Sequence, residues 1–380
     1  KSKFGRRKPW MAVGAIVMMT AAFLLFNPKE EVTNSYLLIW SMLLWLGWTM
    51  INIPYYAWGA ELSENYDERT RITGWRQVFA YSGNVTVLAL PAMANELTGF
   101  GGLPKEGLTI IGSLALIALP STVAICLLFI PERNNYGSST ASLTTNFKAV
   151  WKNGSFKLVW IAFMLKYMGA AWGSALFMLF AVHVVGEKEN VAAILLGHYF
   201  LQLLTLPMWV KLSERIGKKE TYIIGGILFT LVIPLFLLIG NGDTWLLVFV
   251  LACVGASGSY FTAISMSMKA DVIEIASHRA GENVAGAYIA IWSLGQKMIG
   301  AIALGICLPL LQYLGFDPQG GNGPRELQIL SIMYVVPQAI MYVGAVGFIW
   351  RYPINAERLE RIRGAFERRG ARKENQLISA

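Results

Sequence analysis

The sequence is poor in charge, cysteine and histidine. Only 14% of its 380 residues are Asp, Glu, Lys or Arg, too few to cover a folded chain of this size with a water-facing surface, so an ordinary soluble enzyme is excluded. Its three cysteines, Cys126, Cys253 and Cys307, sit far apart inside apolar runs, which excludes a disulfide framework and offers no metal-ligand spacing. Two of the three histidines, His183 and His198, lie singly in apolar stretches, a weak signal for proton relay. No Gly-rich phosphate cradle, metal-ligand cluster or nucleophile–base pair occurs. No catalytic residue, metal or cofactor is therefore expected, and the chain is not read as an enzyme.

What is present points to lipid. Hydrophobic residues make up 55% of the chain, with 13 Trp and 37 Gly, as in bilayer helices that anchor at headgroups and pack closely. About 20 apolar helical residues cross the hydrocarbon. Ten segments meet that length, at roughly 9–28, 35–60, 77–98, 108–130, 156–183, 190–210, 221–240, 244–268, 283–313 and 327–350. Within them Lys166 and Lys297 interrupt otherwise uncharged cores.

Lys and Arg are retained on the cytoplasmic side. Alternating loops 1–8, 61–76, 131–157, 211–220, 269–282 and 351–380 hold 26 of the 32 basic residues, and the opposite loops hold only Lys29, Lys105, Lys188 and Arg325. Both ends of the chain are accordingly expected in the cytoplasm, with a bacterial inner membrane as the location. The net charge of +9 reports orientation and not nucleic-acid binding. Amphipathic stretches around Leu143, Phe147, Val150 and Trp151, and around Leu359, Ile362 and Phe366, are expected to lie on membrane lipid.

An internal repeat organises the helices. Gly5-Arg-Arg-Lys-Pro-Trp-Met-Ala-Val-Gly14 is echoed 212 residues later by Gly217-Lys-Lys-Glu-Thr-Tyr-Ile-Ile-Gly-Gly226, and Glu61 ahead of Arg69 is echoed by Asp271 ahead of Arg279. Two helices precede Gly217 in the second half, so two are expected before Gly5 in an intact protein. The predicted plan is six plus six helices, a major-facilitator fold with alternating access. The expected parts are an N-terminal bundle over 1–130, a cytoplasmic linker over 131–155, a C-terminal bundle over 156–351 and a basic tail over 352–380. The basic run from Lys1 to Lys8 lacks a cleavage site and is no signal peptide; the chain is expected to be a fragment missing its first two helices.

An ionised side chain within a membrane costs at least about 2.5 kcal/mol and marks a functional pathway unless it snorkels to the interface. Lys297, flanked by Gly295, Gln296 and Gly300, and Lys166, ahead of Trp172, are the candidates. Neither has a carboxylate at its depth, so acidic partners are expected on the absent helices. Trp45, Thr49, Asn52 and Tyr56 recur at spacings of four, three and four, one helical face. Such a stripe either lines a polyol site or glues helices. Pro54 lies within it as a possible kink. Arg76, on the next helix, is a substrate anchor or a snorkeller.

Pro54-Tyr-Tyr-Ala-Trp-Gly-Ala-Glu-Leu-Ser, Tyr66-Asp-Glu-Arg-Thr-Arg71, Gly5-Arg-Arg-Lys-Pro-Trp10, Gly217-Lys-Lys219 and Ala270-Asp-Val-Ile-Glu274 followed by Arg279-Ala-Gly-Glu282 and Lys297 appear in an order that resembles the glycoside-pentoside-hexuronide:cation symporter family. This is the melibiose permease-like group of the major facilitator superfamily. The resemblance implies coupled entry of a sugar or glycoside with sodium or a proton, by a monomer. It implies that Thr49 lines the cation site, and that Asn52, Tyr56, Arg76 and Lys297 contact solute. Asn52 stands where the family carries a sugar-binding aspartate, a loss of one negative charge. Trp172 joins these as a candidate solute contact. Asp67, Glu68, Arg69 and Arg71, with Asp271, Glu274, Arg279 and Glu282, are either a cytoplasmic gate or solvated loop charges.

Transport of lysolipid or another amphiphile is the competing transport function; it needs a long apolar site, whereas a sugar needs convergent hydrogen-bonding groups. A membrane sensor or scaffold that transports nothing is the alternative of another class.

Overall fold

The computed structural model describes residues 5, 7–28, 32–62, 72, 75–76, 78–87, 89, 104–131, 150–151, 153–188, 190–280 and 284–353, of which 57, 60, 61, 104–108, 278–280 and 285–286 are described by backbone only. Nine helical segments among these residues are long and apolar enough to cross a membrane: α1 (Lys8–Phe26), α2 (Asn34–Glu61), α3 (Pro104–Phe129), α4 (Gly154–Leu179), α5 (Val191–Ile216), α6 (Lys218–Val232, carried on to Leu238 by a 3-10 segment), α7 (Thr244–Ala280), α8 (Ala285–Tyr313) and α9 (Pro324–Trp350). No strand occurs among the described residues. The remaining expected span, 77–98, is helical over 78–87 and at 89, and its other residues lie outside the described set. Leu128, Phe129, Trp245 and Tyr313 are highly exposed; for a chain of apolar helices, this is the face that lipid covers, with Trp245 and Tyr313 at helix ends where aromatic rings favour the headgroups.

The chain divides into two compact units, Lys1–Ser138 and Ser139–Ala380. In the first, α1 packs along α2 through Gly14 and Gly47. A Cβ at Gly47 would stand 2.6 Å from the Met18 amide nitrogen and 2.8 Å from the Gly14 carbonyl oxygen, so only hydrogen lets the two backbones meet. Gly59, farther along α2, has nothing within 4 Å of such a Cβ. Gly47→Ala is therefore expected to lower thermal stability by about 1–3 kcal/mol through overpacking, while Gly59→Ala does not. Equal melting temperatures for the two variants in detergent would refute the close approach. The last carbonyls of α3 need partners because Pro131 has no N–H to offer Leu127. Lys8 Nζ donates to the Leu127 carbonyl at 2.7 Å, and Trp58 Nε1 donates to Pro131 at 3.1 Å.

In the second unit α4 is the centre of the core. Asn153 caps it, accepting from the Phe156 amide at 3.2 Å and donating to the Tyr288 hydroxyl at 3.2 Å, which fixes the start of α4 against α8. Buried Phe156, Phe163, Tyr222, Tyr260, Phe261 and Trp292 interlock around it through edge and stacked contacts such as Phe163 on Tyr222 at 5.7 Å and Phe163 on Trp292 at 5.2 Å. Helices α5 and α7 are tied by polar groups. Thr205 and Ser259 hydroxyls lie 2.8 Å apart, Trp209 Nε1 donates to the Ala256 carbonyl at 2.8 Å, and His198 Nδ1 lies 2.9 Å from the Leu251 carbonyl, so that nitrogen carries the proton. His198 is thus a helix tie.

Gly5 and Gly217, matched by the repeat, both adopt left-handed backbone, with φ of +92° and +97°, and each leads into a helix, α1 or α6. Glycine takes this conformation without the Cβ clash, so the duplicated sequence folds into a duplicated turn.

Two boundaries differ from expectation: α5 continues to Ile216, into the expected loop 211–220, and α7 also outruns its apolar segment. Residues 269–280, expected within a cytoplasmic loop, continue α7 to Ala280. No Gly or Pro interrupts the sequence from Ser259 to Ala280, so nothing stops the helix where the apolar run ends. Lys269 thereby joins Lys166 and Lys297 as a lysine inside a span, since that span runs Thr244–Ser277.

Candidate functional site

The stripe on α2 faces away from α1. Gly47 marks the side packed on α1, and at 100° per residue Trp45, Thr49, Asn52 and Tyr56 fall on the opposite side of the helix. Trp45 is 62% and Tyr56 47% exposed. These residues are not the glue of the α1–α2 contact. Thr49 donates its hydroxyl to the Trp45 carbonyl at 2.7 Å, and a threonine hydroxyl oxygen is a group of the kind that accepts hydrogen bonds or ligates a cation. Asn52 is half-buried, and its amide offers two donors and an acceptor. Pro54 withholds the N–H that would bond the Met50 carbonyl, yet α2 runs on through it.

Arg76 lies against the stripe. Its guanidinium carbon lies 4.4 Å above the Tyr56 ring centroid, so two residues twenty apart in sequence form one stacked pair. The ring's electron-rich face attracts the cation. A half-buried guanidinium with an amide and a hydroxyl on the same helix face is an arrangement for several hydroxyl or carboxylate oxygens of one solute.

The second unit treats its lysines in three ways. Lys297 is exposed, on the face of α8 opposite Gly295, where a Cβ would collide with Trp160 and Met164 of α4. It therefore points away from its own bundle's core. Lys166 is only 6% exposed, its Nζ sandwiched 3.5 Å from the Phe229 ring and 4.2 Å from Tyr342. Lys269, in a segment expected as a loop, lies over Trp292 at 4.6 Å and within hydrogen-bond reach of the Tyr167 hydroxyl at 3.5 Å. The signal for Lys269 was the unbroken helical run that carries it.

Trp172 is spoken for. Pro337 in α9 cannot donate to the Met333 carbonyl, and the Trp172 indole N–H does so instead at 2.7 Å. The ring is buried, so this indole repairs a proline break in the bundle core and its donor is not available to a solute.

Of the expected gate residues, Asp67, Glu68, Arg69, Arg71 and Glu282 lie outside the described residues, and Arg279 is described only as backbone in α7. Asp271 is buried and accepts from Lys218 Nζ at 2.6 Å, a bond from α7 to the first turn of α6 within one unit. Glu274 is half-buried one turn further along α7. The amphipathic stretch 142–151 is described only at Val150 and Trp151, and 354–380 lies outside the described residues.

Comparison with known proteins gives this arrangement its context. The profile of the MFS/sugar transport protein family matches residues 1–356. The uncharacterized symporter YjmB of Bacillus subtilis is 24% identical over 366 residues, covering 92% of this chain and 77% of its own. The inner membrane symporter YicJ of Escherichia coli is 22% identical over 368 residues, covering 93% and 77%. The crystal structure of the E. coli fucose:proton symporter FucP superposes with a TM-score of 0.58 at 14% identity, over 92% of this chain and 84% of that one, a likeness of fold. With the nine apolar helices and the duplicated turns, the chain is an integral membrane protein that moves a small solute and catalyses no reaction, and it belongs to the MFS/sugar transport family.

Proposed function

We propose that this chain is a cation-coupled symporter for a sugar or glycoside. The observation that carries the proposal is the Arg76 guanidinium stacked on Tyr56 at 4.4 Å, beside Asn52 and Thr49 on the exposed side of α2. Polar donors and acceptors converge there with aromatic rings, Tyr56 and Trp45, that cover the C–H faces of a sugar. An amphiphile's tail needs a long apolar lining in place of this convergence. Thr49 is proposed at the cation site, with sodium or a proton as the coupling ion, because it places a hydroxyl oxygen on the same face of α2 as Asn52 and Tyr56. Loading the cation raises affinity for the solute, and by linkage the solute raises affinity for the cation. The membrane is proposed to be the bacterial inner membrane, with the basic loops in the cytoplasm, and the transporting unit a monomer.

The test is uptake of radiolabelled monosaccharides and glycosides into proteoliposomes, with an inward sodium gradient, with a proton gradient, and with neither. One gradient is expected to drive accumulation, and unlabelled sugars of the same class to compete for it. Competition by lysophosphatidylcholine but by no sugar would overturn the proposal in favour of amphiphile transport.

A further inference from the structure

Trp58 ties down the end of the helix that carries the stripe. Pro54 has no N–H for the Met50 carbonyl, so α2 lacks one rung there and bends most easily at that joint. Before the joint, the close approach of α1 fixes the helix: a Cβ at Gly14 would stand 2.7 Å from Met50 and 3.1 Å from Ile51. After it, Gly59 has nothing within 4 Å of such a Cβ, so no approach of that kind recurs there. Among the described side chains from Ile53 to Leu62, Trp58 alone is buried. Its indole N–H donates to the Pro131 carbonyl at 3.1 Å. Lys8 Nζ, bonded to the Leu127 carbonyl, lies 5.7 Å from its ring centroid. One side chain thus joins the far end of α2 to the end of α3 and the start of α1.

Tyr56 stands two residues before Trp58, about 200° round the helix, on the exposed side where the Arg76 guanidinium lies 4.4 Å from its ring centroid. Neither Gly nor Pro separates the two, so any rotation of this turn moves both rings together. A rotation of roughly 20° swings a group about 6 Å from the helix axis by about 2 Å, enough to unmake a hydrogen bond to a solute. Satisfying Pro131 does not require the indole, because Pro131 is exposed and water would serve its carbonyl as well. What the bond adds is direction. We infer that Trp58 is a positioning residue for the solute site: by bonding Pro131 it fixes the turn of α2 after Pro54 and, with it, the place of the Tyr56–Arg76 pair. That the pair binds a sugar rests on the symport proposal; that Trp58 places the pair is tested without a solute.

The first measurement is melting of the purified full chain in detergent. The stability losses of Arg76→Ala and Tyr56→Leu are expected to be non-additive in the otherwise unchanged chain, and additive once Trp58→Phe, which keeps a ring without the N–H, is present. Pro54→Ala returns an N–H to the Met50 carbonyl and stiffens the joint, so it is expected to restore the non-additivity in the Trp58→Phe chain, a rescue that loss of packing alone would not show. Lys8→Met removes the cation from the Trp58 ring without altering α2 and is expected to weaken the non-additivity in the same direction, so the test does not depend on Trp58→Phe folding. The second measurement is uptake into proteoliposomes of radiolabelled methyl β-D-glucoside, methyl β-D-galactoside and methyl β-D-xyloside. For whichever accumulates, Trp58→Phe is expected to raise the half-saturating concentration about 2–10-fold with little change in maximal rate, a loss bounded by the strength of the one hydrogen bond removed. Non-additivity unchanged by Trp58→Phe and Lys8→Met, or a lower maximal rate at an unchanged half-saturating concentration, overturns the positioning role and spares the sugar proposal. Additive losses in the otherwise unchanged chain remove the pair and the inference with it. Non-additivity lost and rescued as expected, with no sugar accumulating under any gradient, keeps the role of Trp58 and removes the sugar proposal.

Discussion

Replacing Arg76 by alanine is expected to reduce solute uptake by about 100-fold at limiting concentration, the loss of one or two hydrogen bonds to a charged donor. The reason lies in the stack. With its carbon 4.4 Å from the Tyr56 ring centroid, the guanidinium is held against the ring, so less side-chain entropy is lost on binding. Arg76→Lys keeps the charge but not the plane or the fork, and is expected to recover no more than about a tenth of the uptake. Tyr56→Phe keeps the ring face and is expected to have a mild effect; Tyr56→Leu removes it. Because the two side chains act as one unit, the Arg76→Ala and Tyr56→Leu losses are expected to be non-additive, with a coupling of about 0.5–2 kcal/mol in a double-mutant cycle of uptake. Additive losses would show that Arg76 merely reaches for the interface while Tyr56 packs, and the site on α2 would lose its anchor.

Much of this was legible in the sequence because hydrophobic length and loop charge are one-dimensional signals. The span starts and ends of α4 and α9 lie close to the apolar runs that announce them, and the stripe from Trp45 to Tyr56 follows from helical periodicity alone. What the sequence concealed depends on partners distant along the chain. Lys166 and Lys297 look alike as lone cations in apolar runs, yet one is enclosed by Phe229 and Tyr342 and the other lies on an open face. Nothing within a few residues of either distinguishes them; the difference comes from α6 and α9 packing on α4. Trp172 resembled a solute contact because an aromatic near an intramembrane lysine commonly is one. Its donor is instead consumed by a carbonyl 161 residues away, freed by Pro337. Lys269 was hidden by the assumption that a helix ends with its apolar run, whereas propensity carries α7 onward.

The distinction between those lysines yields the second large effect. Lys297→Ala is expected to abolish cation-dependent uptake, with any residual flux indifferent to the sodium or proton gradient. Lys297 lies twelve residues into the 29-residue α8, at a depth where a lysine costs about 2.5–3.5 kcal/mol unless it borders a polar path, and it points away from the core of its own bundle. A charge kept there at that cost is suited to serve as an internal counter-ion in the transport path when the coupling cation is absent. Lys297→Arg is therefore expected to retain part of the coupling. Lys166→Met supplies the internal comparison: its two rings already treat the side chain as packing, Met fills nearly the same volume, and no carboxylate among the described residues is bonded to it, so stability is expected to hold or rise and coupling to persist. Measuring uptake with each gradient imposed in turn decides between the roles. Normal coupled transport by Lys297→Ala, or equal loss of coupling in both variants, would show that position on the open face of α8 confers no special part in ion coupling.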